Sequence, residues 1–139
     1  MTIEAFKEYL STTKLTFSYK AVLVLALLDV IGRDGKASTS QLIGAFHQFY
    51  LERQRKNLAA EKERERHPSP LIKPDEVTDE QIWQILARYP LELMEDYISV
   101  DGDIVRFKHN LWSQLSASDL VALKEIAQQR LKVYYEDIE

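Results

Sequence analysis

Apolar positions recur along most of this chain at helical spacing. Ile3, Phe6 and Leu10 fall at i, i+3 and i+7, which predicts a short first helix with Thr2 as its cap. From Ala21 to Leu28 eight apolar residues follow one another; Asp29 interrupts them, and Val30 and Ile31 resume the run. A helix that is apolar nearly all round has no solvent face, so this stretch predicts the central helix of the domain. Ser18 stands where its N-cap belongs and Gly32 where it should stop. Ser38 and Gln41 have capping-box spacing, and Leu42, Phe46, Phe49 and Tyr50 predict a helix from about Thr39 into the fifties. Thr78 and Gln81 form a second box ahead of Ile82, Trp83, Ile85 and Leu86, with Pro90 ending that helix near Arg88 and one further turn expected over 91–96. Ser116 opens a last, long helix whose apolar stripe runs Leu120, Leu123, Ala127, Leu131, Tyr134. Tyr134 and Tyr135 are neighbours on that helix, which predicts that one of them is exposed.

Between these helices the pattern changes. Residues 97–107 read as two β-rich runs around an Asp-Gly turn, a hairpin. Residues 32–36 read as a turn with two glycines free to take positive φ, and Lys36-Ala37 as a short extra strand. Residues 57–77 hold alternating charges and three prolines and are expected to form a mobile, charged loop. Three helices followed by a hairpin is the order of a winged helix. The expected fold is therefore mostly α (α+β): a winged-helix-like helical domain with one β-hairpin and a long C-terminal helix, residues 1–139 forming one domain.

Composition narrows the functional classes. The 139 residues contain no Cys, which removes disulfides and thiolate metal sites and fits a cytoplasmic location. The N-terminus lacks a signal-peptide pattern, and the central apolar run is shorter than the roughly 20 residues a membrane span needs. The net charge of −4 is unevenly spread. Residues 1–73 carry 12 Lys and Arg against 8 Asp and Glu, a net +4, whereas residues 74–105 carry Arg88 against nine acids, a net −8. One end is basic and the other acidic.

Candidate chemistry is sparse. His47, His67 and His109 have no metal-ligand spacing, Asp101-Gly102-Asp103 reads as a turn, and there is no G-x-S-x-G or phosphate-loop motif. No enzymatic activity, metal or cofactor is expected. In a winged helix the third helix and the wing meet DNA, but here both fall in the acidic segment, where phosphates are repelled. Nucleic acid, if bound, is expected at the basic end, through Lys20, Arg33, Lys36, Arg53, Arg55, Lys56 and the Arg64–Arg66 segment, with Tyr50 adding a stacking surface. The acidic face and the aromatics Tyr89, Tyr97, Tyr134 and Tyr135 suit a protein partner.

The stretch FSYKAVLVLALLDV, the glycine turn, S-T-S-Q-L, then F-x-x-F-Y-L-E-R, with Tyr89-Pro90 and Leu111-Trp112 further on, resembles a module of bacterial DNA-restriction and phage-defence proteins. That module often lies at the C-terminal end of DEAD/DEAH-type helicases, and similar ones accompany HNH endonucleases. The resemblance covers about residues 15–115. It departs at Ala21, where proline is expected after S-Y-K, and over 61–73. It implies a non-catalytic accessory domain with a helicase or nuclease partner and carries over no catalytic residue. The alternative expectation is a winged-helix DNA-binding transcriptional regulator.

Overall fold

The computed structural model describes residues 2–138. Its elements run α1 (Ile3–Thr12), α2 (Tyr19–Val30), β1 (Lys36–Ser38), α3 (Thr39–Arg55), α4 (Asp79–Arg88), α5 (Pro90–Leu93), β2 (Ile98–Asp101), β3 (Ile104–Phe107), α6 (His109–Trp112) and α7 (Ala117–Ile138). The strands form one antiparallel sheet in the order β1-β3-β2, with Ala37 opposite Val105 and Val100 opposite Val105 from the other side. The succession α2-β1-α3-α4-β2-β3, with β3 central, is winged-helix topology. Gly102 closes the hairpin at φ +59°, the conformation a two-residue turn asks of its first central residue. The fold is mostly helical with a small sheet, as the periodicity predicts.

α2 is the centre. Ala21, Val22, Leu23, Val24 and Leu27 are fully or almost fully buried, and α3, α5 and α7 pack around the helix. Asp29 keeps its carboxylate on the exposed edge without breaking the helix. The predicted local signals hold elsewhere. Thr2 accepts from the Ala5 N–H, and both capping boxes are closed in the two directions. Ser116 and Asp119 form a third reciprocal pair, the Asp119 N–H donating to Ser116 Oγ at 3.1 Å and the Ser116 N–H to Asp119 Oδ2 at 3.0 Å. α1 lies along α7, where Arg130 donates to the carbonyls of Leu10 (2.8 Å) and Thr13 (2.5 Å), groups that a helix end otherwise leaves orphaned. Among the described residues no helix is long and apolar enough to cross a membrane.

Four expectations change. Of the two turn glycines, Gly35 takes positive φ (+78°) and Gly32, whose N–H donates to the Lys36 carbonyl at 2.9 Å, does not. Ser18 occupies the N-cap position of α2, but its side chain makes no capping bond. Its backbone N–H and its hydroxyl both donate to Glu61 Oε2, at 3.1 and 2.5 Å. The carboxylate thus caps α2 from a distant segment, at the end where the helix dipole favours negative charge. Residues 57–77 form a loop, as expected, but buried residues anchor it on both sides of the exposed stretch 62–68. Ala60, Glu61, Ser69, Leu71, Pro74 and Val77 are buried, and two 3-10 turns, Pro70–Ile72 and Pro74–Glu76, place the prolines at their starts. Finally, Tyr134 and Tyr135 are both buried, at 8% and 4% exposure. The chain around Ala60 and Glu61 covers this helix end, so both rings are packed: the Tyr134 hydroxyl donates to Glu61 and the Tyr135 hydroxyl to the Ala60 carbonyl.

Glu61 is the hub of this arrangement. Besides Ser18 and Tyr134 it accepts from the Lys62 N–H at 2.8 Å, so four donors converge on one buried carboxylate. Ser18 gives its proton to Glu61 and therefore accepts from the Tyr50 hydroxyl, 2.7 Å away. Burial first, and then the nearby charge of Glu61, hold the Tyr50 phenol well above its ordinary pKa, and burial followed by the Glu61 bond does the same for Tyr134. The result fixes where the chain leaves toward residue 62, and that exit forms one wall of the cleft described next.

Candidate nucleic-acid interface

The segment entering α2, the charged stretch after Glu61, and the α4–α5 corner enclose a cleft of about 880 Å³. Each wall comes from a different part of the chain. Lys14, Phe17 and Lys20 form the first, Arg64, Arg66 and His67 the second, and Gln84, Arg88 and Tyr89 the third. Five Lys or Arg side chains line the cleft and no Asp or Glu does, among the described residues. In a chain of net charge −4, that lining gathers five cations in one recess, while Glu63 and Glu65, which alternate with Arg64 and Arg66, stay exposed outside its lining.

Its floor is aromatic. Tyr19 is buried, and its hydroxyl is hydrogen-bonded to the Ser69 hydroxyl. Desolvation, reinforced by the charge of Glu61, holds that phenol above its ordinary pKa, so it remains a neutral hydrogen-bonding group. The Tyr19 ring lies 5.1 Å from Phe17 and 5.9 Å from Tyr89. Tyr89 is 48% exposed and neighbouring Leu93 is 59% exposed, so an apolar and aromatic rim opens to solvent inside a basic surround. The Arg64 guanidinium sits 5.5 Å from the Phe17 ring, a cation–π approach that keeps the charge over the cleft. Lys20 donates to Thr13 Oγ1 at 2.7 Å and lies 5.5 Å from the Tyr9 ring.

α4 explains how the acidic segment contributes to a basic cleft. At about 100° per residue, Ile82, Ile85 and Leu86 face the core, while Gln81, Gln84 and Arg88 share the flank toward the cleft. Glu80 and Ala87 point away from both, and both are exposed. The helix therefore shows amides and a guanidinium to the recess and an acid to bulk solvent. Net charge over 74–105 describes the segment, not each of its faces.

The predicted basic residues do not form one patch. Lys20 lies in the cleft, as do Arg64 and Arg66. Arg33 and Lys36 are exposed beyond the opposite end of α2, Lys36 being paired with Arg106 in the sheet. Arg53 is turned inward, its Nε donating to the Ala59 carbonyl at 2.6 Å and its guanidinium 3.4 Å from the Tyr135 ring. Arg55 and Lys56 both pair with Glu52, which holds the Glu52 carboxyl at about 2, below the usual range, chiefly through the Arg55 hydrogen bond. Tyr50, expected as a stacking surface, is fully buried under the Glu61 network. Tyr97 is half-buried against Phe6 at 4.7 Å, leaving Tyr89 as the open ring among the four aromatics proposed for a partner. Lys14 and Arg88 are isolated cations in the sequence and gain company only through the fold.

No set of three His, Asp or Glu side chains suited to a metal comes together among the described residues. His47 Nε2 instead lies 2.7 Å from the Pro74 carbonyl, a hydrogen bond that ties the proline turns to α3. Comparison with protein-family models, with curated proteins and with solved structures returned no match.

Proposed function

We propose that this protein is a non-catalytic accessory module of a DNA restriction or phage-defence system, which contacts nucleic acid through the basic cleft and works beside a helicase or nuclease partner. The observation that carries the nucleic-acid part is the lining itself: five cations, no carboxylate, and an open tyrosine at the rim. Phosphate neutralisation supplies most of nucleic-acid affinity, and aromatic faces add to it without demanding a sequence. The restriction context rests on the resemblance over about residues 15–115.

A salt titration of binding tests the reading. Log affinity should fall linearly with log salt, and the double variant Arg64→Ala/Arg66→Ala should make the slope shallower by about 1.4 for a single strand or about 1.8 for a duplex. An unchanged slope would remove the cleft from the interface.

The winged-helix topology supports a second reading, a transcriptional regulator with α4 in the major groove. Under it, Gln84→Ala and Ala87→Glu on α4 would abolish sequence-dependent duplex binding while the Arg64/Arg66 variant left it intact.

A further inference from the structure

We infer that the cleft takes single-stranded nucleic acid, with a base laid on the exposed Tyr89 ring, and does not dock on a duplex. This deepens the proposed reading and rests on it. Three observations point to a single strand. First, five cations line a recess walled by three separate segments of the chain. A duplex is read by a protruding helix or ribbon that enters a groove, whereas a recess accepts a flexible strand. Second, the elements a winged helix offers to a duplex are acidic here. The outward positions of α4 include Glu80, and the hairpin tip carries Asp101 and Asp103, both exposed. Third, Tyr89 presents an open ring beside Arg88, with Phe17 and Arg64 across the cleft. Only an unpaired base can lie flat on such a ring, because duplex bases are already stacked on each other. Gln81 and Gln84 on the same wall offer donors and acceptors to base edges.

Fluorescence anisotropy of the whole chain decides it. The probes are labelled oligothymidylate and oligouridylate of about 12 nucleotides, within the site sizes of known single-strand folds, together with a DNA duplex of equal length and inorganic polyphosphate as a competitor. The expected result is binding of the single strands at least about 10-fold tighter than the duplex, with weak competition by polyphosphate. Oligodeoxyuridylate, which differs from oligouridylate in the 2′-hydroxyl alone, separates DNA from RNA as the source of the strand. Tyr89→Leu, which keeps apolar packing against Tyr19, should weaken single-strand binding by about 5-fold or more, and Tyr89→Phe should restore it. Thermal melting of each variant separates lost binding from lost folding. Duplex binding as tight as single-strand binding would overturn the inference and leave the nucleic-acid role standing. An unchanged affinity in a folded Tyr89→Leu variant would overturn the stacking contact. Binding of neither form would overturn both this inference and the proposed function.

Discussion

Replacing Glu61 by Gln tests whether one buried carboxylate fixes the cleft wall. The side chain is 3% exposed, and its two oxygens accept four hydrogen bonds. An amide keeps the shape but turns one acceptor into a donor. If the NH2 replaces Oε2, the Ser18 hydroxyl can rotate to accept from it, but the Ser18 N–H cannot reverse. If it replaces Oε1, Tyr134 can rotate, but the Lys62 N–H cannot. Either orientation therefore leaves one backbone donor without its acceptor. That costs about 1–3 kcal/mol. For 139 residues the entropy of unfolding is roughly 0.3 kcal/mol/K, so the midpoint should fall by about 3–10 °C. Calorimetry or circular dichroism melting reads it, with Glu63→Gln in the same charged run as control. Glu63 is exposed and should leave the midpoint within about 1 °C. An equally small effect for Glu61→Gln would show that the network does not anchor the loop.

Gly35 and Gly44 make an opposed pair. Gly35→Ala meets both a positive φ and the Trp112 ring, 2.6 Å from the new Cβ, and should destabilise by more than about 1–2 kcal/mol; Gly44→Ala, in open space within α3, should stabilise by roughly 0.5–1 kcal/mol. Chemical denaturation measures both. The Lys7 bond first, then the Ser116 N–H, hold the Asp119 carboxyl at about 2. A depressed folded-state value gives stability that is present above the ordinary carboxyl pKa of about 3.9 and is lost as pH falls through about 2. Asp119→Asn, which retains the cap, should therefore flatten the acid limb of the stability curve between those values. Burial raises Tyr19, Tyr50 and Tyr134. Stability is complete below the ordinary phenol value of about 10 and declines above it. The share of tyrosinate absorbance contributed by these three and the loss of helical circular dichroism should then rise together, and full tyrosine titration with the helices intact would contradict the burial.

The features legible in the sequence are those whose cause is local. A capping box spans four residues, so Ser38–Gln41 and Thr78–Gln81 announce themselves. The apolar run of α2 needs no partner to be recognised, and the hairpin at 97–107 carries its own turn. Ser18 shows where this stops. Its position at a helix start satisfies the local rule, but a carboxylate 43 residues away holds it. Nothing within EKERER marks Glu61 as the buried member, because alternating charge reads the same whether one residue is tucked in or none is. Tyr135 misled for a related reason: helix periodicity counts one buried face, and the chain around Ala60 supplies a second. The cleft was half visible. Lys20, Arg64 and Arg66 belong to the basic end legible in the sequence, but the grouping with Lys14 and Arg88, and the exclusion of Arg33, Lys36 and Arg53, depend on which helix ends meet in space. Segment charge also concealed the flank of α4 that carries Gln81, Gln84 and Arg88 without an acid.

The most direct test of the cleft as the nucleic-acid surface is a backbone amide shift titration of the isotope-labelled protein with a short single-stranded oligonucleotide. The shifts are expected to concentrate on residues 14–20, 64–70 and 81–93, with residues 33–36 and the hairpin at 98–107 unmoved. Shifts confined to the hairpin and the outward side of α4, around Glu80 and Ala87, would contradict it.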